Sequence, residues 1–591
     1  MLLKRITLLA SVASSSPVQL GTPFDRRQVL PTVELPYGTW RASRYDSAND
    51  IYTFKNIRFA ATPTGDLRFT APAPPQPNST IQDGSYGFSC ISSSTRRLGG
   101  STNGPSRLGG LTGVPRVVPQ GEDCLFLDVY APSRALNGTE KFSVVFWIYG
   151  GAYVGGSKDG IYDGTPLIKS AGGNLVFVAA NYRLAAYGFL GGSTMERDGT
   201  PNAGFYDQQF ALQWVQDHIS KFGGDPNNVS VWGESAGGGS IMHQLTANGG
   251  NGKALFKRAV IQSPAFQTLH DRQGQIETTY KAFEEAAGCA GRGLTCLRNA
   301  NTSTINSAQS IVMQNAVEGT FGFGPVADGK FVRQLPALEL ASGNFFKDME
   351  SLIVSHVFDE ASMFVPAGIS QDRDIDTFLT SVFPGLDIIR DVVLRRYPPS
   401  GSAGVGYPDA RGRIQALIRD STFVCNVRFI SAAYACQNCT TPSSSVYNVQ
   451  YSRSPGTHGS DVLATFFNPS GELSRLSTLD PSLASFAASY QSYLTSHAMT
   501  GDPNTYRLPN STASWPEVTV EPTLRNVLDA GNPGFSLISD NQTTADVCDF
   551  WLDIQAAMTS LGGYAPPDSV VENPFTNIIS VADASANFVI V

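Results

Sequence analysis

The chain has 591 residues, 41% of them hydrophobic and 16% charged, which is the composition of a folded globular protein and not of a disordered one. Fifty acidic residues against 42 basic ones leave a net charge of −8, so no broad basic surface is available to a phosphate backbone and nucleic acid is excluded as a partner. No apolar run reaches the ~18–20 residues that a membrane-spanning helix needs.

In chain order, Lys4 and Arg5 precede a short apolar stretch, 6–13, followed by small residues. That pattern predicts a secretory leader over 1–16, cut between about Ala13 and Pro17, and a single domain over 17–591. Seven Asn-x-Ser/Thr sequons, beginning at Asn78, Asn137, Asn228, Asn301, Asn438, Asn510 and Asn541, and eight cysteines agree with an oxidising, extracellular destination. Cys90 with Cys124 could close a long loop and Cys289 with Cys296 a tight one. The pairing of Cys425, Cys436, Cys439 and Cys548 stays open. Cys436-Gln-Asn-Cys439 has redox or zinc-like spacing but no second pair at zinc-site distance, so disulfides are the preferred reading and no metal or cofactor is expected.

Short β-branched and aromatic runs at 143–148, 174–180, 229–232, 258–262, 351–355 and 445–451 read as strands of a buried, largely parallel sheet. Between two of them Ala211, Val215, Ile219 and Phe222 recur at helical spacing, predicting a helix over about 203–222. Strands alternating with helices indicate an α/β fold, with long segments such as the Gly/Ser-rich 92–118 as surface insertions.

The most informative stretch is Gly233-Glu-Ser235-Ala-Gly237, which follows one of these strands and precedes a helix-compatible run at 240–245. A G-x-S-x-G turn between strand and helix needs small flanking residues because the serine is forced into a strained backbone conformation that lifts its hydroxyl above the sheet edge. Ser235 is therefore the expected nucleophile. A hydroxyl needs a base to remove its proton. In this chain order the base follows the acid, leaving His270, His356, His458 and His497 beyond the elbow. His497 sits in a helical repeat with Phe486, Tyr490 and Leu494 and is expected on a helix surface; His458, in the loop Pro455-Gly-Thr-His-Gly-Ser460, is the expected base. The small-residue turn Gly150-Gly151-Ala152 after the 143–148 strand is a source of amide donors for an oxyanion.

These residues, together with Gly121-Glu-Asp-Cys124, Asn181-Tyr-Arg183, Asn202-Ala203, Asp207-Gln208, Phe222-Gly-Gly-Asp-Pro226 and Pro325-Val-Ala-Asp-Gly329, stand in the order found in the type-B carboxylesterases, which include cholinesterases and fungal lipases. From about Gly38 onward the chain resembles that family. The resemblance implies an α/β-hydrolase fold with a large, mostly parallel central sheet, helices on its faces and long surface insertions. It implies a serine carboxylic ester hydrolase that needs no cofactor, with oxyanion donors at Gly151, Ala152 and Ala236 and disulfides Cys90–Cys124 and Cys289–Cys296. It places the triad acid at Glu360, in Ser355-His-Val-Phe-Asp-Glu360-Ala361, with Asp359 as runner-up because the glycines of the family pattern are replaced by Ser355 and Ala361. Glu234 matches the acidic residue before the serine and is expected as a buried neighbour; it is grouped with Tyr153, Phe321 and Phe323 as substrate-pocket candidates. Between Cys90 and Cys124 there is no aromatic residue to hold a quaternary ammonium, and Arg96, Arg97, Arg107 and Arg116 would repel one, which argues against choline esters. The same segment is too poor in apolar residues for an amphipathic lid, so esterase action is preferred to interfacial lipase action. Passing the acyl group to an alcohol, and a non-catalytic recognition role, are the remaining alternatives.

Overall fold

The computed structural model describes residues 30–93, 119–266, 274–317, 320–435, 444–471, 474, 480–509 and 513–562. The predicted leader, most of the 92–118 insertion, His270 and the Cys436/Cys439 pair lie outside them.

The core is built on an eleven-stranded sheet. In chain order its strands are β1 (Arg44–Asp46), β2 (Ile51–Arg58), β3 (Phe126–Pro132), β4 (Phe142–Ile148), β5 (Leu175–Ala180), β6 (Gly224–Glu234), β7 (Arg258–Gln262), β8 (Ser351–Val357), β9 (Ser445–Tyr451), β10 (Thr523–Ala530) and β11 (Phe535–Thr544). Their spatial order is β11-β10-β9-β8-β7-β6-β4-β5-β3-β2-β1. The run from β5 to β10 is parallel, and antiparallel pairs close both edges. The central strands β4, β5, β7 and β8 are buried at every position, as expected for parallel strands covered on both faces. All six predicted strands are present, with ends moved by a few residues.

Eight helices matter for the site: α1 (Ala203–His218), α2 (Ala236–Leu245), α3 (Gln275–Ala286), α4 (Thr302–Asn315), α5 (Asp372–Val382), α6 (Ala410–Ile418), α7 (Leu483–Thr500) and α8 (Ala545–Gly562). The helix predicted over 203–222 is α1, which tightens into a 3-10 turn at Ile219–Phe222. One expectation is corrected: His497 on α7 is fully buried, its Nε2 2.9 Å from Ser351 Oγ, because α7 packs against the sheet instead of lying on the surface.

Several of the motifs that stand in family order pin loops to the sheet. The Asn181 amide donates to the carbonyls of Phe88 and Cys124, and its oxygen accepts the Lys158 N–H. Arg183 forms a two-pronged pair with Asp207 at 2.8 and 2.7 Å, both residues buried. Removing either partner would strand a buried charge, at a cost of about 3–5 kcal/mol. Asn202 bonds both the N–H and the C=O of Val326 and reaches Asp328.

Disulfides join Cys90 to Cys124 and Cys289 to Cys296, and a third joins Cys425 to Cys548. The third spans 123 residues in sequence. Closing a loop that long restricts the unfolded chain by about 4–5 kcal/mol in the chain-entropy picture. It fastens α8 to the helical segment after α6.

Candidate active site

Open parallel sheets present ligands at the carboxyl ends of their strands, and every predicted catalytic residue lies there. Strand β6 ends at Glu234 and α2 begins at Ala236, so the chain reverses at Ser235 alone, with φ 58° and ψ −123°. For a residue with a β-carbon that is a strained region, held only where the surroundings over-determine it. Here the Ser235 N–H donates to the Gln262 carbonyl of β7, and the Ser235 carbonyl accepts from the Gly239 and Ala265 amides. Glycine at 237 is obligatory: a β-carbon there would lie 2.1 Å from the Ile148 carbonyl oxygen.

Glu360 follows β8, separated from β6 by β7. Two strand spacings amount to roughly 9–10 Å, too far for a carboxylate to reach the serine directly. An imidazole fills the gap. His458 comes from the turn after β9, which is zipped to the Glu360 turn by a bridge between Asp359 and Thr457; the His458 N–H donates to the Asp359 carbonyl at 3.2 Å. The His458 side chain thereby sits with Nε2 2.8 Å from Ser235 Oγ and Nδ1 2.6 Å from Glu360 Oε2. The other Glu360 oxygen accepts the Val357 N–H at 2.8 Å, and Glu360 is completely buried. Asp359, the runner-up, turns away and accepts from Gln415 and from the Ser362 N–H.

The turn after β4 approaches Ser235 from the other side. Gly151 has φ 123°, and a β-carbon would stand 2.3 Å from the Gly155 oxygen, so only glycine fits. Its carbonyl is occupied by the amides of Val154 and Gly155. The amides of Gly151, Ala152 and Ala236 meet no acceptor among the described residues.

Three buried carboxyl groups surround His458: Glu360, Glu234, whose Oε1 is 3.4 Å from Nε2, and Asp461 at the start of the helix Ser460–Thr465. Asp461 also accepts from Gln262 at 2.9 Å. Burial, reinforced by neighbouring carboxylates and outweighing the attraction of His458, pushes both Glu234 and Asp461 above the usual carboxylate range. Burial alone would lower His458, but the charges of Glu234, Glu360 and Asp461 and the hydrogen bond to Glu360 hold it above 6.5. A base works only when deprotonated. The acidic limb of the kcat/KM–pH profile should therefore lie above pH 6.5, and Glu234→Gln should move it downward by roughly half to one unit. A wild-type limb below 6.5, or one that Glu234→Gln leaves in place, would contradict this electrostatic picture.

Ser235, Ala152 and Ala236 open onto a cavity of about 660 Å³. Tyr153, Phe321 and Phe323 line it, whereas Glu234 lies beside His458 Nε2 and off the cavity wall. The wall is mostly apolar, and helices α3 to α6 and α8 contribute Ile276, Val312, Leu379, Leu417, Trp551, Ile554 and Met558 to it. Phe364 and Phe423, which sequence reasoning missed, stand against the His458 ring at 5.1 and 4.8 Å between centroids and also face the cavity. Phe423 lies on a π-helical turn, Arg419–Val424, continuous with α6. No group of His, Cys, Asp and Glu among the described residues is arranged to hold a metal ion.

The chain resembles known proteins along most of its length. Residues 30–551 match the model of the carboxylesterase family. The chain is 38% identical to a secreted lipase of Arthroderma benhamiae over 90% of its own length and 95% of that protein. It is 29% identical to carboxylesterase patB of Penicillium expansum, over 89% and 96% respectively. Among solved structures, EstA of Aspergillus niger superposes with a TM-score of 0.74 at 27% identity, covering 90% of this chain and 99% of that one. The chain belongs to the carboxylesterase family and is a serine carboxylic ester hydrolase of the α/β-hydrolase fold.

Proposed function

We propose that Ser235, His458 and Glu360 form the catalytic triad of a secreted esterase whose substrates carry an extended apolar group. The observation that carries this reading is the unbroken hydrogen-bonded chain from Ser235 Oγ through His458 to Glu360, opening directly onto the apolar cavity. Ser235 Oγ attacks the ester carbonyl while His458 Nε2 takes its proton. The carbonyl oxygen, now negative, receives the amides of Gly151, Ala152 and Ala236. Glu360 holds the Nδ1–H tautomer and stabilises the imidazolium. His458 then returns the proton to the departing alcohol, leaving an acyl-enzyme. A water molecule, deprotonated by the same imidazole, attacks this acyl-enzyme; the acyl–oxygen bond breaks, His458 returns the proton to Ser235 Oγ, and the carboxylic acid leaves.

The cavity supports a long acyl chain over a short one. Each methylene moved from water into such a wall contributes about 0.8 kcal/mol, or roughly fourfold in kcat/KM. Along a series of p-nitrophenyl esters, kcat/KM should climb from acetate well past butyrate; a series that peaks at acetate would count against the cavity as acyl site. Triacylglycerol lipase action is the second reading, favoured by the apolar wall and by relatives named as lipases. A jump in rate when the ester passes its solubility limit would select it over esterase action. Acyl transfer uses the same triad and is distinguished by product analysis in the presence of an alcohol. Secretion is supported by the three disulfides and by relatives named as secreted.

A further inference from the structure

A second histidine–carboxylate pair lies behind the triad acid, from residues that the reaction described above does not use. His356 is on β8, four residues before Glu360; Asp540 is on β11, at the edge of the sheet. Both are about 1% exposed. His356 Nε2 lies 2.8 Å from Asp540 Oδ2, and His356 Nδ1 lies 3.0 Å from the Val357 carbonyl oxygen. A carbonyl can only accept, and Asp540 is already set up as a carboxylate, taking the Thr543 hydroxyl at 2.8 Å and the Gln542 N–H at 2.9 Å. Both ring nitrogens therefore face acceptors, and only the doubly protonated imidazolium satisfies both.

The location of that cation gives it a consequence. Val357, whose carbonyl accepts a hydrogen bond from His356 Nδ1–H, is the residue whose N–H donates to Glu360 Oε1. The next carbonyl, of Phe358, accepts from Gln542 on β11 at 3.1 Å. The turn that delivers Glu360 is thus tied to β11 directly at the Phe358 carbonyl, through Gln542, and indirectly at the Val357 carbonyl, through His356 and Asp540. The charged groups around His356 are Asp540 from β11 and Glu360 from the turn, with Arg419 of the π-helical turn within the field of Asp540. We propose that His356, held as an imidazolium by Asp540, is a positioning residue for the triad: it fixes the Glu360 turn and sets a positive charge against the carboxylates gathered around His458.

This inference rests on the triad reading, and the two fail differently. If Ser235→Ala retains activity the triad reading falls; the His356 proposal is read from pH dependence in an enzyme whose Ser235 still reacts with an organophosphate. His356→Gln removes the cation and leaves Asp540 uncompensated, so less opposes the pull of Glu234, Glu360 and Asp461 on the His458 proton. The acidic limb of kcat/KM should move up by on the order of half a pH unit or more, opposite to Glu234→Gln, while KM at pH values above the limb changes less than twofold. Asp540→Asn removes the anion that holds the imidazolium, so His356 loses its proton and the two charges disappear together; the limb should move by less than in His356→Gln. A folded His356→Gln enzyme whose melting temperature falls but whose acidic limb stays in place would overturn the proposal. So would failure of both variants to fold, which would make the pair purely structural.

Discussion

Ser235→Ala should lower kcat by roughly 10⁴–10⁶-fold while leaving the fold and the melting temperature close to those of the parent. The size follows from the unity of the triad: once the nucleophile is gone, the imidazole and the carboxylate have nothing to activate, and only the oxyanion amides and the binding cavity still favour the transition state. The lack of a structural cost follows from what holds the elbow. Ser235 is kept at φ 58° by backbone hydrogen bonds to Gln262, Gly239 and Ala265, none of which involves its hydroxyl. Alanine at 235 keeps all three, and the variant should retain cooperative unfolding. Residual turnover above about one part in a thousand, in a preparation free of parent enzyme, would remove Ser235 as the nucleophile.

Glu360→Gln should lower kcat by about 10⁴-fold, with KM much less affected. The carboxylate accepts from two donors at once, the Val357 N–H at 2.8 Å and the His458 Nδ1 side at 2.6 Å. A glutamine amide has one acceptor oxygen and one donor nitrogen. With its oxygen kept on the Val357 N–H, its NH₂ faces Nδ1 and favours the tautomer that puts the imidazole proton on Nε2, facing Ser235. That imidazole can no longer take the hydroxyl proton. Asp359→Asn is the control, since the Asp359 carboxylate accepts from Gln415 and the Ser362 N–H and its backbone bonds to the His458 turn are untouched by the substitution; its kcat should stay within a few-fold of the parent. If the two variants behaved in the reverse way, the acid would be Asp359.

Much of this site could be read from the chain because its chemistry is written in local patterns. The elbow needs small residues at fixed offsets from Ser235, and they stand there. His458 was separable from the other histidines because a glycine-flanked loop after a strand can present an imidazole. Glu360 rested on family resemblance, since Ser355 and Ala361 replace the glycines of the pattern; burial and the bridge between Asp359 and Thr457 make up the difference. What escaped the sequence was what long-range packing creates. His497 looked like a surface residue because α7 has ordinary helical spacing, and nothing local shows that its whole circumference is covered. Phe364 and Phe423 meet His458 from segments 94 and 35 residues away, and the π-helical turn carrying Phe423 has no periodicity to betray it. Asp461 was within reach, three residues beyond the predicted base at the start of a helix. The His356–Asp540 pair joins residues 184 apart, and only the register from β8 across to β11 brings them together. Motifs such as Asn181-Tyr-Arg183 and Asp207 were legible as landmarks but not as what they are, buried clamps that hold the loops around the site.

The central claim is that one hydroxyl, activated by one imidazole, carries the acyl group. Titration with an organophosphate ester followed by mass spectrometry of the digested protein tests it most directly. One equivalent of label, on the peptide containing Ser235, should abolish activity in proportion to its incorporation, and Glu360→Gln should slow the labelling along with turnover. Complete inactivation with the label on another residue, or full activity in a protein whose Ser235 is stoichiometrically phosphorylated by the reagent, would contradict it.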